Sequence, residues 1–582
     1  MRIEPLDARR AVCHLNAAMT LRWILPTATD DALIRGLCAD LRVPRPVAEF
    51  LVRRGFSTPE DAARFLDPRL KTLSDPFLLP QMEAAVERIL AAVDRGERIV
   101  IYGDYDVDGV TSLTLLTRVL RALGARPECF LPSRVDEGYG LSAEGVARCV
   151  ATLRPQLLIA VDCGTASVAE IAGLRAEGID VIVIDHHECQ DALPDCVALV
   201  NPKLGADFHY LCSVGLVFKT AHALLKRRPV AGFDLREHLD LVALGTVADL
   251  VPIRDENRVF VKSGLAQLAK TRWPGVKALI EVSGLRAPFS PGDIGFGLGP
   301  RLNAAGRLGT ASEALELLLT EDPARARQLA AGLDAQNRER RAVEDLVLTQ
   351  AEAQLAEWFD PARDAAIVVG ASGWHSGVVG IVASRIQKRH HRPTLVIGFD
   401  ETGLGKGSGR SIEGLSLVAA LAQCGHLLEK HGGHEMAAGL TIQQARFTEF
   451  REAFRACAIE RLTAEQLQPR IRLDGELALG DIGFELLGHH DALQPFGMGN
   501  PQPVFIARGI QLAAEPRVMK EKHYSLILRQ GRAEQRAVWF GGVANGLPRM
   551  PWDVAFQVER NEWNGNVTPQ MQIRAVRTSE GC

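Results

Sequence analysis

The sequence predicts a multi-domain α/β protein: a mostly parallel sheet flanked by helices, a long helical connector, a second α/β domain and a small C-terminal β-barrel. Three observations predict it. From Arg98 to Ile184 short apolar runs alternate with amphipathic ones, and from Ala324 to Trp358 a charged run carries apolar residues at helical spacing. After about Gln468 the hydrophobic period switches to two.

Taken in order, residues 1–80 read as short helices broken by prolines. Within 81–255, Arg98–Tyr102, Glu128–Leu131, Leu157–Val161 and Val181–Ile184 read as strands. Val110–Leu123, Ser142–Thr152 and Ser167–Glu177 read as the helices between them. Repeated βα units imply a parallel sheet sandwiched between helices. Residues 256–362 form the connector. There Leu329, Leu333, Val343, Leu346, Val347 and Leu355 stand amid charges, which suits one long solvated helix or a helix pair. In 363–465, Ala366–Val369 and Thr394–Ile397 read as strands, Val378–Arg389 and Leu417–Lys430 as helices. In 466–582, Tyr524–Leu528, Ala537–Phe540, Val554–Val558 and Met571–Ala575 alternate like strands of a small barrel.

Composition narrows the function. Among 582 residues, 47% hydrophobic and 24% charged exclude wholesale disorder. No apolar run approaches the roughly 18 residues of a membrane span, and Met1–Pro26 lacks the continuous apolar core of a signal peptide. A net charge of −4 supplies no global basic field, so any nucleic-acid contact must use a local groove. Eleven cysteines without a C-x-x-C pair argue against a disulfide framework or zinc knuckle. They fit reduced thiols in a cytoplasmic protein.

The ends of the predicted parallel strands are acidic, and open parallel sheets bind ligands beyond their carboxyl edges. Tyr102 runs into Gly103-Asp104-Tyr105-Asp106-Val107-Asp108-Gly109, Val161 into Asp162-Cys163-Gly164, and Ile184 into Asp185-His186-His187. Asp249 follows in Gly245-Thr-Val-Ala-Asp-Leu-Val-Pro252. So many carboxylates at one edge repel unless a cation neutralises them. Oxygen ligands with one or two imidazoles suit Mn²⁺ or Mg²⁺ better than zinc. Two ions sharing an aspartate are the usual device for activating water against a phosphate ester. Singly, each aspartate would read as a strand-end or capping residue.

These motifs, with Ala248-Asp249-x-x-Pro252, resemble the DHH phosphoesterase superfamily. The likeness is greater to the RecJ family of bacterial single-strand-specific exonucleases. It runs in order from about Phe65 to about Ala575, through Gly299-Pro-Arg-Leu-Asn-Ala-Ala-Gly-Arg-Leu308, Gly373-Trp-His-Ser-Gly-Val-Val-Gly380, Lys406-Gly-Ser-Gly-Arg-Ser411 and Gly432-Gly-His434. The resemblance implies a DHH phosphoesterase domain, a DHH-associated domain and an OB-like barrel. It implies two ions, one on Asp106, the other on Asp108, His186 and Asp249, with Asp162 bridging. His187 would lie near the scissile phosphate, and Asp185 belongs to the same catalytic set. Other DHH phosphoesterases often carry a ligand histidine where this chain has Tyr102, so the first ion is expected to rest on Asp106, Asp162 and water. Cys163 stands where asparagine is common, which implies a packing difference only.

Glycines at 403, 405, 407 and 409 interleave with Lys406, Ser408 and Arg410, so backbone N–H groups and two cations are expected to approach a phosphate closely. From composition alone this segment equally fits a glycine-rich surface turn. It is neither a P-loop nor a dinucleotide fingerprint. By resemblance, Ser408 and Arg410 with Arg134 form a 5′-phosphate pocket and His434 contacts substrate phosphate. Arg301 and Arg307 are candidate phosphate contacts, with helix capping as the alternative. Of the barrel aromatics Phe505, Tyr524, Trp539, Phe540, Phe556 and Trp563, most are expected in the core and one or two as base-stacking platforms.

The reading is a metal-dependent 5′-to-3′ exonuclease that hydrolyses single-stranded DNA to 5′-mononucleotides in recombination and repair. A cleft between two α/β domains would admit one strand and exclude a duplex. The resemblance also implies a single-strand-binding protein and a recombination helicase as partners, and no membrane. One rival is a small-substrate DHH phosphoesterase acting on oligoribonucleotides, cyclic dinucleotides or pyrophosphate; the extra N-terminal segment and the β-domain argue against it. The other is a non-catalytic, replication-associated structural subunit, which the intact acidic set argues against.

Overall fold

The computed structural model describes residues 21–579, apart from 28, 133–139, 206, 309–310 and 564. Two compact units divide the chain. One comprises residues 64–340 and 493–502, the other 1–63, 341–492 and 503–582.

In the first unit the helix α1 (Met82–Arg95) leads into a five-stranded sheet: β1 (Ile99–Gly103), β2 (Glu128–Phe130), β3 (Leu157–Val161), β4 (Asp180–Ile184) and β5 (Ala198–Val200). The order is β2-β1-β3-β4-β5 and every pairing is parallel. Parallel strands buried on both faces read as continuous apolar runs, which is why Ile99–Tyr102 and Leu157–Val161 show no alternation. One face, from Ile99, Ile101, Ile159 and Ile182, packs on α1, α2 (Val107–Ala122), α5 (Ser213–Arg227) and α6 (Leu239–Ala248). The other, from Val100, Tyr102, Leu158 and Val183, packs on α3 (Ala143–Leu153) and α4 (Val168–Ala176) through Cys149, Ile171 and Leu174. Helices α2 and α6 are buried on nearly every side, as helices inside a core must be. The order reverses between β1 and β3, and ligands of open α/β sheets bind at such a switch point.

Residues 324–358, expected as one long helix or a helix pair, lie in a single 36-residue helix, α7 (Pro323–Trp358). Beyond it, β6 (Ile367–Ser372), α8 (Ser376–His390), β7 (Thr394–Phe399), β8 (Leu404–Arg410), α9 (Leu417–Gln423), β9 (Lys430–Gly433), β10 (Ala437–Gln443) and α10 (Phe447–Arg461) follow. They build a sheet in the order β9-β10-β8-β7-β6, parallel only between β6 and β7. Two expectations are corrected here. The helix read over Leu417–Lys430 stops at Gln423, and Lys430 opens a strand. The glycine-rich segment is not a loop but the strand β8, paired on both edges.

The C-terminal sheet has seven strands where sequence alternation marked four: β11 (Gly475–Glu476), β12 (Phe505–Leu512), β13 (Arg517–Met519), β14 (His523–Gln530), β15 (Ala533–Trp539), β16 (Trp552–Trp563) and β17 (Asn566–Thr578). Their order is β11-β12-β16-β17-β15-β14-β13, and a further β12–β14 pairing closes the sheet on itself. A short strand, Arg22–Ile24, pairs in parallel with Arg470–Arg472. No helix among the described residues is long and apolar enough to cross a membrane.

Candidate metal centre

The acidic residues converge at the β1/β3 switch point. After β1, Asp106 caps α2 by accepting the N–H of Gly109 at 3.1 Å, which turns Asp108 inward on the first helical turn. Asp108 is fully buried. Its two oxygens accept the backbone N–H groups of Ser213 (2.7 Å) and Val214 (2.9 Å) at the start of α5, where unpaired amides favour an anion. After β3, Asp162 adopts a left-handed backbone (φ 63°) and accepts the hydroxyl of Ser213 at 3.0 Å. Asp249 sits at the C-terminal end of α6, where the helix dipole disfavours a carboxylate unless a cation is near.

His186 completes the arrangement. Its Nε2 lies 3.4 Å from Asp162, 3.6 Å from Asp249 and 3.9 Å from Asp108. Both this nitrogen and Asp249 Oδ2 are buried without a hydrogen-bond partner. Buried polar atoms are nearly always satisfied, so donors aimed at a common point suggest a cation between them. The electrostatics agree. Burial and the Asp106 charge push the Asp108 carboxyl up to about 7; burial with Asp108 and Asp106 pushes Asp249 up to about 9. Asp162 is raised well above the carboxylate range by burial and four neighbouring aspartates. A divalent cation would remove that penalty and keep all three ionised. Burial and the neighbouring His187 hold His186 down at about 4, so it is a neutral ligand at pH 7.

Among the described residues, donor atoms within 4.8 Å of one another form three groups: Asp162, His186 and His187; Asp108, Cys212 and Asp249; Asp104, Asp106 and Asp162. Asp162 therefore stands between a histidine half-site and an aspartate half-site. Two of these donors, Asp104 and Cys212, were not singled out from the sequence. Asp104 is almost fully buried and joins Asp106 and Asp162, adding a carboxylate donor where the sequence suggested water. Tyr102 does not point to a metal. Its ring is buried and stacked on Phe130 at 4.9 Å, and its hydroxyl donates to the Gly140 carbonyl at 3.1 Å.

Asp185 serves the histidines rather than the cluster of carboxylates. One oxygen accepts from the backbone of His186 (2.7 Å) and His187 (3.2 Å) and pairs with His187 Nδ1 at 2.7 Å; the other accepts from Thr165 at 3.0 Å. Burial would raise this carboxyl, but the His187 bond and charge hold it well below the carboxylate range. Burial likewise opposes a charge on His187, and Asp185 overcomes it, lifting the imidazole to about 9. Asp185 thus favours the protonated form of His187 on the margin of the cluster.

The expected phosphate contacts are distributed between the units. In β8 the backbone N–H groups are committed to the ladders with β7 and β10, so they are not an anion cradle. The glycines serve packing: a Cβ would meet Phe399 at 2.5 Å from Gly405, Ile397 at 2.8 Å from Gly407 and Leu395 at 2.5 Å from Gly409. Period-two alternation then sets Lys406, Ser408 and Arg410 on the opposite face. Arg410 is half-buried and donates to Ser408 Oγ at 3.1 Å. His434 is exposed in the turn of the β9–β10 hairpin and its backbone N–H is bonded to the Ala437 carbonyl. Arg301 is held by Asp334 (2.9 Å) and the Gly297 carbonyl (2.7 Å), which commits its guanidinium internally. Arg134 lies outside the described residues, as does the side chain of Arg307. Among the barrel aromatics Phe505, Trp539 and Phe556 are core, Tyr524 is half-buried and Phe540 is 58% exposed; the Trp563 side chain lies outside the described residues.

Three family models match: the DHH family N-terminal domain over 98–246, the DHHA1 domain over 364–460 and the RecJ OB domain over 473–575. The chain is 37% identical over 572 residues to the single-stranded-DNA-specific exonuclease RecJ of Bacillus subtilis, across 97% of this chain and 72% of that one. It superposes on the crystal structure of RecJ in complex with Mn²⁺ from Thermus thermophilus with a TM-score of 0.83 at 32% identity, covering 96% of this chain and 80% of that chain. For the Mg²⁺ complex from the same organism the values are 0.77 and 30%, with 96% and 79% covered. A buried carboxylate and imidazole cluster able to hold metal ions, and likeness along nearly the whole length, lead to one conclusion: the chain belongs to the RecJ family of single-stranded-DNA-specific exonucleases.

Proposed function

We propose that this protein hydrolyses single-stranded DNA from its 5′ end, releasing 5′-mononucleotides, with two Mn²⁺ or Mg²⁺ ions as cofactors. The observation that carries the reading is the approach of His186 Nε2 to Asp108, Asp162 and Asp249 within 3.9 Å, beside the Asp104–Asp106–Asp162 group. In this reading Asp108, His186 and Asp249 would hold one ion and Asp104 and Asp106 the other, with Asp162 in reach of either group. When bound, such ions lower the pKa of water and neutralise charge on the phosphate. The α5 amides and Ser213 keep Asp108 and Asp162 in position. Asp185 fixes the His187 ring and its charge, which opposes the negative charge building on phosphorus.

Incubating the full chain with Mn²⁺ and end-labelled single-stranded DNA tests this. Stepwise release of 5′-mononucleotides from the 5′ end is expected. Release from the 3′ end would overturn the polarity, cleavage confined to dinucleotides would favour the small-substrate reading, and no release would favour a structural subunit. Action in DNA recombination and repair, a cytoplasmic location, and cooperation with a single-strand-binding protein and a helicase belong to the same proposal.

In the same reading the end-reading role falls to Ser408 and Arg410. A charge-assisted hydrogen bond contributes about 1.5–3 kcal/mol. Arg410→Ala is therefore expected to cut the preference for a 5′-phosphate over a 5′-hydroxyl end by about ten- to a hundredfold. Competing the two labelled ends in one reaction measures it. Equal weakening at both ends would make Arg410 a general backbone contact.

A further inference from the structure

Cys212 is the residue before α5, fully buried, with its thiol donating to Thr246 Oγ1 at 3.6 Å. Its sulfur lies within 4.8 Å of a carboxylate oxygen of Asp108 and of Asp249. Those two carboxylates face His186 Nε2 at 3.9 and 3.6 Å. One thiol, one imidazole and two carboxylates therefore border the same half-site. Nothing in the hydrolysis described above uses the thiol.

Thiolate is the donor that separates soft from hard cations. Mn²⁺ and Mg²⁺ take oxygen and nitrogen ligands, whereas Zn²⁺, and more so Cd²⁺, gain from sulfur. A four-coordinate Zn²⁺ has Zn–O and Zn–N bonds of about 2.0 Å and Zn–S of about 2.3 Å, which sets its ligand atoms about 3.3–3.6 Å apart. His186 Nε2 stands 3.6 Å from Asp249 and 3.9 Å from Asp108, and the Cys212, Asp108 and Asp249 donor atoms lie within 4.8 Å of one another. Both Asp108 oxygens already accept one backbone N–H, and each keeps a lone pair for a metal.

We propose that Cys212 makes the histidine half-site a trap for thiophilic divalent cations, in which Asp108, His186, Cys212 and Asp249 close around Zn²⁺, Cd²⁺ or Co²⁺ and displace the hard catalytic ion. Ligation replaces the S–H bond by a sulfur–metal bond, and the proton passes to solvent. A site closed by four protein ligands leaves no open position for water or phosphate, so the trapped form is an inhibited form. The inference rests on the metal reading above and adds to it a donor that decides which cation is excluded.

Co²⁺ titrated into the full chain supplies a readout independent of activity. Expected is a near-ultraviolet sulfur-to-cobalt charge-transfer band that excess Mn²⁺ abolishes, present in wild type and missing in Cys212→Ser and Cys212→Ala. Among the described residues no other thiol is grouped with these donors, so the Mn²⁺-sensitive band in wild type decides the matter even if a variant fails to fold. In parallel, release of bound Mn²⁺ by Zn²⁺, followed by the electron paramagnetic resonance of the free ion, should require about tenfold more Zn²⁺ in Cys212→Ser. Wild type that binds Mn²⁺ but shows no such band, or a variant that yields Mn²⁺ to the same Zn²⁺ concentration, overturns the trap and leaves the metal reading standing. Wild type that binds no Mn²⁺ overturns both.

Discussion

Asp162→Asn is expected to lower the hydrolysis rate by about 10³-fold or more while leaving single-strand binding nearly intact. The magnitude follows from position. Removing a single preorganised electrostatic partner costs about 10²–10³, and Asp162 belongs to both half-sites at once. Binding should survive, because affinity for a single strand comes from phosphate contacts and base stacking rather than from this buried carboxylate. Asparagine is the informative replacement. Asp162 has φ 63°, a region asparagine tolerates and alanine enters at a cost of about 1–2 kcal/mol. Loss of activity in the asparagine variant thus reports the missing charge, not backbone strain. A hydrolysis time course in Mn²⁺ and a labelled oligonucleotide binding curve check the two halves of the expectation. Turnover like that of wild type would remove Asp162 from the site, and equal loss of binding and cleavage would give it a folding role.

The parts of this architecture that were legible in the sequence are those whose signal is local. Strands such as Leu157–Val161 are unbroken apolar runs because helices cover both faces of the sheet. Asp106, Asp108, Asp162 and Asp249 stand at ends of elements that could be recognised, so their convergence could be expected before any coordinates. Strand β8 was illegible for a definite reason. Its period of two is present, but the inward positions are Gly405, Gly407 and Gly409, whose space is filled by Ile397, Phe399, Leu395 and Leu440 from the neighbouring strands. Hydrophobic alternation cannot be seen where the buried side chain is missing and its volume is supplied by a partner. Strand β9 hid for another reason: all four of its residues are exposed, so it has no buried face to show as alternation.

Asp104 and Cys212 were missed differently. Asp104 lies in the same acidic run as Asp106, and only its burial beside Asp162 distinguishes it from a solvated turn residue. Cys212 precedes a helix with no local pattern around it. Its neighbours Asp108 and Asp249 are remote in sequence and meet it only because α2, α5 and α6 pack together. Tyr102 shows the converse. The position suggested a weakened metal site, yet the phenol belongs to the core beneath the sheet, and a neighbouring aspartate joins the half-site.

Gly109→Ala is expected to disable the aspartate half-site, and the sign of the effect separates packing from propensity. Gly109 lies in the first turn of α2, where alanine is favoured over glycine by roughly 0.5–1 kcal/mol. Propensity alone therefore predicts a gain. A Cβ at this position, however, would lie 2.3 Å from the carbonyl oxygen of Asp104, 2.7 Å from its carbonyl carbon and 2.8 Å from its nitrogen. All three are backbone atoms and cannot rotate aside, so the loop carrying Asp104 and Asp106 must move. Overpacking of this kind costs about 1–3 kcal/mol, and a displacement near 1 Å at reacting groups costs about a hundredfold in rate. The expected result is a folded protein with activity down about a hundredfold or more and one Mn²⁺ bound in place of two, since Asp108, His186 and Asp249 are untouched. Gly332→Ala provides the control. It lies inside α7 with nothing within 4 Å of the added carbon, and should raise stability by about 0.5–1 kcal/mol with activity unchanged. If Gly109→Ala behaves like Gly332→Ala, the close packing of α2 on Asp104 is not what holds the first aspartates in place.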